Sequence, residues 1–321
     1  MRANKFEECS DDIRANLSII FRKLKPANIK KEYKWIIAGV LFAFLWASAS
    51  TATKIALDTS QPLVIALVRF GVAGIIMLIF AHIFRRQRLP RGAEWKQIFI
   101  YGLLNITIYL GCYVVAMQHV TAGVGTLAVA TNPLFISFIS VFFLKKKLKF
   151  KIIVALLFGT LGVAIASWPL LEEASVTSGG LLLLLFSMLS YSAGAIYFSA
   201  KKWNDLSIVT INAWQTTIGG ILLLPFTVAI YKSNENHFDL KFWGGTLWLA
   251  VFVSIFAILL WLWLLKRNAV KAGLWLFLCP VFGFAIAAVV LNDVISFYTI
   301  IGVALVLIGL YISERNVDVK E

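Results

Sequence analysis

Charge is scarce in this sequence. Lys, Arg, Asp and Glu together make up 14% of its 321 residues, against about 25% in ordinary soluble domains. Hydrophobic residues reach 60%, so the polar coat that two soluble domains would need does not exist, and disorder or a collagen-like repeat is excluded too. Cysteine is nearly absent: Cys9, Cys112 and Cys279 make no disulfide framework, and the last two sit in apolar stretches as small packing residues. Histidine is equally rare. His82, His119 and His237 fall near a span end or in loops, which argues against a histidine metal site or proton wire. No Gly-x-x-x-x-Gly-Lys-Ser/Thr loop occurs, so ATP hydrolysis has no support. The first 34 residues are too polar for a signal peptide.

What is present is long apolar runs. A hydrocarbon core about 30 Å thick takes about 20 apolar residues of helix. Ten such stretches occur, at 35–57, 63–84, 96–117, 122–144, 150–168, 179–199, 208–231, 243–265, 272–290 and 296–313. The basic residues test the count. With both termini cytoplasmic, the inner side holds nine Lys and Arg before Trp35, five in 85–96, five in 145–151, two in 201–202, three in 266–271 and two in the tail. Lys54, Lys232 and Lys241 fall outside, and Arg69 lies within a span. This is the positive-inside distribution, which eight or twelve spans would scramble. The net charge of +14 therefore marks a membrane face, and no nucleic-acid partner is expected. In the cytoplasmic tail 1–34, Ile13, Leu17, Ile20, Phe21 and Leu24 recur at helical spacing beside Arg14, Arg22 and Lys23. That pattern suits a helix lying on the anionic inner leaflet, or else an accessory tail without bearing on transport.

The chain also repeats itself. Shifted by 147 residues, Pro133 falls on Pro280, Leu144 on Leu291, Phe150 on Phe297 and Gly162 on Gly309. Shifted by 146, Arg69 falls on Gln215, and shifted by 145, Trp46 falls on Tyr191. Five spans per half is an odd number, so the second half enters the membrane from the opposite side. The expected fold class is an all-α integral membrane protein of ten transmembrane helices. They form two inverted five-helix repeats, 35–168 and 179–313, and a cytoplasmic tail at 314–321 follows. Inverted repeats suit a secondary transporter with two mirror-related states around a midplane site. The alternative is a duplication kept only for packing.

Trp46-Ala-Ser-Ala-Ser-Thr-Ala-Thr-Lys54, Ala66-Leu-Val-Arg69-Phe, Ala122-Gly-Val-Gly-Thr-Leu and Asn132-Pro133-Leu-Phe occur in that order, with the repeat, over about 280 residues. In this the chain resembles the EamA branch of the drug/metabolite transporter superfamily. Ala47 stands where that family usually has Gly, so helix contact there is expected to be looser. The resemblance implies an inner-membrane permease, often an exporter of amino acids or related metabolites. Because the family carries Arg at the position of Arg69 while its substrates vary, the resemblance also implies a structural or gating role for that residue.

The deep polar residues bear on the chemistry. All sixteen carboxylates lie in tails, loops or span ends, Asp58 being the nearest to a span interior. An exporter that trades a proton for a cation on an intramembrane carboxylate is therefore excluded. Arg69 lies about 10 Å below the outer face at 1.5 Å per residue, where an Arg costs about 2.5–3.5 kcal/mol or more. It is either an anchor for a substrate carboxylate or phosphate, or an Arg that snorkels or packs the repeat interface. Trp46 and Tyr191, about 16 and 18 Å into their spans, are followed by small or hydroxyl residues such as Ser50 and Ser192 and are expected to line a cavity. Trp35, Trp95, Trp168, Trp203, Trp243 and Trp275 lie near span ends and read as interface belts. Asn105, Asn132, Asn212 and Gln215 complete the polar set, either as cavity lining or as ordinary interhelical hydrogen bonds. Trp214 beside Gln215 could stack on a planar substrate. Pro133 and Pro280, near the middles of spans four and nine, free the carbonyls of Val129 and Leu276 and are expected hinges or static kinks. Gly71, Gly74, Gly159, Gly162, Gly219 and Gly220 are expected packing surfaces.

The expected function is a permease for small polar metabolites, amino acids first, working by alternating access without proton coupling. A carrier of nucleotide sugars, nucleoside derivatives or vitamins is the alternative. A membrane enzyme is disfavoured because no paired carboxylates, histidine cluster or nucleophile–base set is present. A receptor without flux is disfavoured by the short loops. No cofactor or metal is expected. The expected partners are a small-molecule metabolite and the lipid bilayer, and a monomer suffices to form the pathway.

Overall fold

Alternation of apolar runs with short polar links produces a bundle of long helices. In a computed structural model of the chain, residues 26–120, 122–145, 147–173, 177–291 and 296–314 are described. Among them helix is the only regular structure. The helices are α1 (Pro26–Leu57), α2 (Pro62–Phe84), α3 (Ala93–Ala116), α4 (122–144), α5 (Phe150–Glu173), α6 (Ser178–Ala200), α7 (Ile208–Ile230), α8 (Leu240–Arg267), α9 (269–291) and α10 (Phe297–Glu314). Eight are long and apolar enough to cross a membrane, and α5 and α10 carry the shorter apolar segments Phe150–Ile165 and Phe297–Ile312. The expected ten spans are thus all helical. α1 begins ahead of its apolar run, at Pro26. The amphipathic stripe Ile13–Leu24 lies outside the described residues.

The helix starts are where the sequence supplies an acceptor for free backbone N–H groups. Thr177, Ser207, Asp239 and Asn268 accept from Gly180, Val209, Phe242 and Lys271 at the starts of α6, α7, α8 and α9. Pro62 opens α2, where its missing N–H costs nothing.

Packing follows a five-helix period. α2 packs along α7, and α5 along α10. α1 packs against α8 and α9, and α6, five helices later, packs against α3 and α4. Close approach of α3 and α7 depends on Gly219, where a Cβ would meet Ile106 and would lie 2.9 Å from the Gly102 carbonyl oxygen. Gly74 and Gly220 likewise meet Thr217 and Phe70. Gly71 differs from expectation: nothing lies near it, so it packs against no helix. Trp203 and Trp275 are not belt residues either. Both are 5% exposed; the Trp203 indole donates to the Phe198 carbonyl at 2.8 Å, and the Trp275 ring fills the space left by Gly39. Position near a helix end does not say which side of the helix a ring takes.

Three helices contain π stretches. α3 widens to a π-helix over Leu103–Ile108, and α8 over Leu249–Ala257. These stretches begin at positions related by the repeat, 146 residues apart. α2 ends in a third π stretch, Ile79–Phe84. The expected kink at Pro133 is an outright break, with one helix ending at Val129 and the next beginning at Asn132. Side chains take the freed carbonyls: Thr131 Oγ1 donates to Ala128 O at 2.7 Å and Asn132 Nδ2 to Val129 O at 3.0 Å. In α9 a 3-10 turn, Trp275–Phe277, precedes the helix that contains Pro280.

The two halves are tied at both faces. On the face carrying the basic loops, Arg88 Nη1 and Nη2 each donate to Glu94 at 2.8 Å. Arg88 Nη2 also donates to Asp205, between α6 and α7, at 2.6 Å. The guanidinium holds the Asp205 carboxyl below its ordinary range, so this contact persists at neutral pH and is lost only as pH falls through that depressed value. On the opposite face, the Gln61 backbone N–H donates to Asn236 Oδ1 and Asn236 Nδ2 to Gln61 Oε1, at 2.9 and 2.8 Å.

Two outcomes follow. Gly219→Ala should cost about 1–3 kcal/mol of stability through overpacking, read as a lower thermal midpoint of the purified protein. Arg88→Gln should lower that midpoint more than Asp205→Asn, because it strips the partner from Glu94, which is 5% exposed, whereas Asp205 is left in solvent. The reverse order would mean that Glu94 does not depend on Arg88.

Candidate functional site

The centre of the bundle holds a cavity of about 10 Å³, room for one water-sized species. Its walls come from four helices of the first half and one of the second: Trp46 on α1, Arg69 on α2, Tyr109 and Tyr113 on α3, Val129 at the break in α4, and Val253 in the π stretch of α8. Placing a break and a π stretch here follows from the local backbone, since neither can form a regular ladder and each needs neighbours for its loose groups.

Arg69 is 1% exposed, which excludes snorkelling. Its Nε donates to Ser254 Oγ at 2.7 Å, and its guanidinium carbon lies 5.2 Å from the Phe70 ring centre. Nη2 has no hydrogen-bond partner among the described residues. None of the described ion pairs includes Arg69. A buried cation without a counter-charge carries a penalty of several kcal/mol.

A continuous polar chain leads from Arg69 to the far side of the bundle. Ser254, which receives the Arg69 Nε–H, offers its carbonyl to Asn212 Nδ2 at 3.0 Å. Asn212 Oδ1 accepts from Gln215 Nε2 at 2.9 Å, and Gln215 Oε1 accepts from Asn105 Nδ2 at 3.4 Å. All five residues are buried. The repeat is visible in this wiring. Arg69 on α2 bonds the π stretch of α8, and its repeat counterpart Gln215 on α7 bonds the π stretch of α3 through Asn105. Asn212 has both ends of its amide engaged, so it supports Arg69 from behind. Asn105 Oδ1, at the other end of the chain, has no partner among the described residues.

Aromatic rings surround the cavity. The repeat mates Trp46 and Tyr191 meet with ring centres 5.6 Å apart. Tyr191 lies 4.7 Å from Tyr109 and stacks on Trp261 at 5.5 Å. Ser50 and Tyr113 share a hydroxyl hydrogen bond of 2.8 Å. The Tyr191 hydroxyl and the Trp261 indole N–H have no partners among the described residues. Such rings attract cations and planar groups.

Of the residues expected at the site, Trp46 and Arg69 line the cavity. Ser50 stands behind Tyr113, and Tyr191 stands behind Trp46 and Tyr109 and is not part of the lining. Asn212, Gln215 and Asn105 lie in the chain behind Arg69. Asn132 belongs to the α4 break: it accepts from Ser192 Oγ at 2.9 Å while donating to Val129. Trp214 lies away from the cavity. Its indole donates to His82 Nε2 at 3.0 Å and its ring meets Trp95 edge-on at 4.8 Å, so the stacking role considered for it has no support. Sequence reasoning missed Tyr109, Tyr113, Trp261 and Ser254. The signal available was two tyrosines four apart near the middle of span three, which set both hydroxyls on one helix face. No group of three or more His, Cys, Asp or Glu that could hold a metal occurs among the described residues.

Comparison with known proteins adds the following. The sequence model of the EamA-like transporter family matches residues 33–168 and again 178–314. An uncharacterized transporter of Archaeoglobus fulgidus is 26% identical over 292 residues, covering 88% of this chain and 99% of that protein. The uncharacterized inner membrane transporter YedA of Escherichia coli is 31% identical over 187 residues, covering 56% of this chain and 55% of its own. A crystal structure with 16% identity shares the fold, with a TM-score of 0.70 over 88% of this chain and 96% of that one.

Asn132→Ala should leave the Ser192 hydroxyl and Val129 carbonyl without their partner. The expected cost is about 1–3 kcal/mol per orphaned group, read as a lower thermal midpoint. An unchanged midpoint would mean that the α4 break is held by other contacts.

Proposed function

Because the chain belongs to the EamA-like transporter family, we propose that it moves small metabolites bearing a carboxylate, amino acids first, by alternating access across the inner membrane. The carrying observation is Arg69: a buried guanidinium whose Nη2 group has no partner among the described residues, at the wall of a central cavity. A substrate carboxylate would accept from Nη2 in a charge-assisted hydrogen bond. The π faces of Trp46 and Tyr109 offer an ammonium group a partner that needs no carboxylate. An α-amino acid presents both charges a few ångströms apart.

The conformation supports an occluded resting state. The cavity is far smaller than an amino acid, and both faces are tied, by Arg88 with Asp205 on one and Gln61 with Asn236 on the other. Opening one face means breaking its tie while the halves rock about the α2–α7 and α5–α10 contacts. The broken α4, the 3-10 turn ahead of Pro280 in α9 and the π stretches are where the helices yield most easily. The distribution of basic loops favours termini on the cytoplasmic side. With no carboxylate at depth, facilitated diffusion or exchange is favoured over proton coupling. One chain contains both halves of the pathway, so a monomer suffices.

Reconstituted into proteoliposomes without an ion gradient, the protein should take up pooled labelled amino acids saturably, to equal concentrations inside and out. Arg69→Gln should lower the rate about 10-fold or more, the loss of a hydrogen bond to a charged group. Trp46→Ala and Asn105→Ala should reduce transport more than the yield of monodisperse protein. Absence of uptake, with or without an imposed proton gradient, would remove amino acids as the substrate.

A further inference from the structure

We propose that the cavity beside Arg69 is an inorganic-anion site, which a single chloride occupies whenever no organic substrate is bound. The argument starts from charge. A guanidinium cannot shed its proton in a protein, and the sixteen carboxylates of this chain all lie in tails, loops or span ends. Ser254 supplies a hydroxyl to Nε but no negative charge. Nη2 stays unpartnered on a residue 1% exposed. A water against Nη2 would satisfy the hydrogen bond and leave the charge uncompensated. A halide does both.

Size and lining agree with this occupant. The cavity admits one small species, and a carboxylated metabolite cannot fit until the halves move. Beside Arg69 the wall carries the phenols Tyr109 and Tyr113, groups that donate to an anion, while the Trp46 indole N–H is engaged with the Tyr109 oxygen. The Ser50–Tyr113 hydrogen bond can run in either sense. With Ser50 as donor, the Tyr113 proton is free to turn toward the anion. In this arrangement an incoming carboxylate displaces the chloride from Arg69, so chloride competes with substrate. The site does not depend on the identity of the organic substrate.

The test uses the full-length protein in detergent, unfolded thermally in sodium chloride or sodium gluconate at equal ionic strength and pH. Chloride should raise the midpoint saturably, by roughly 2 °C per tenfold increase above its dissociation constant. Arg69→Gln should abolish the increment, and Tyr113→Phe should move it to higher chloride. Arg88→Gln, on a loop away from the cavity, should retain it. Equal midpoints in the two salts, or an increment that survives in Arg69→Gln, would overturn the proposal. Should Arg69→Gln fail to fold, crystals of the unaltered protein grown in bromide decide it: an anomalous peak at Arg69 supports the site, and none there rejects it. No organic substrate enters these measurements, so they stand or fall apart from amino-acid transport.

Discussion

A guanidinium buried at the centre of an apolar bundle, with no carboxylate to meet it among the described residues, is the constraint on which the rest of this structure depends. Keeping Arg69 charged there requires oriented dipoles around it, and the fold spends its few deep polar residues on that task. Ser254 turns its hydroxyl to Nε, Asn212 holds the Ser254 carbonyl, and Gln215 holds Asn212. The Nη2 group is left without a partner among the described residues. An arrangement that satisfied all five donors internally would be more stable and would bind nothing.

The same chain joins the two halves. It runs through the π stretches of α3 and α8, at Asn105 and Ser254, and these stretches start at equivalent positions of the repeat. A π-helix is less stable than an α-helix and is retained where side chains hold it open. Here Asn105 and Ser254 are those side chains, and each is held by the partner helix of the central α2–α7 pair. Any displacement of Arg69 toward an anion therefore pulls on the α8 stretch directly and on the α3 stretch through α7.

Much of this was legible in the sequence, for physical reasons that also mark where legibility stopped. Ten helices could be read because a bilayer demands length and apolarity together, and the loops carry their charge on one side. Arg69, Asn105, Asn212 and Gln215 stand out because a polar side chain in an apolar run contrasts with its neighbours. Tyr109, Tyr113 and Trp261 did not stand out, since an aromatic ring inside a span has the composition of ordinary lipid-facing or packed surface. Ser254 was silent for a related reason: a small hydroxyl can bond its own helix and needs no partner. The π stretches leave no compositional trace at all. Trp203 and Trp275 illustrate the opposite error, in which place along the helix suggested a membrane belt and rotation about the axis decided otherwise. Asn132 was visible as a deep amide, but its duty at the α4 break depends on where the backbone parts.

The central claim is that Arg69 recognises a carboxylate, and competition tests it most directly. Uptake of labelled amino acids into proteoliposomes should be blocked by the same amino acids unlabelled, and left unchanged by their carboxamides, which keep the side chain and the ammonium but lose the negative charge. Arg69→Gln should erase the distinction along with most of the uptake. Equal competition by acid and amide would contradict the account, and would make Arg69 a structural residue with the recognition elsewhere.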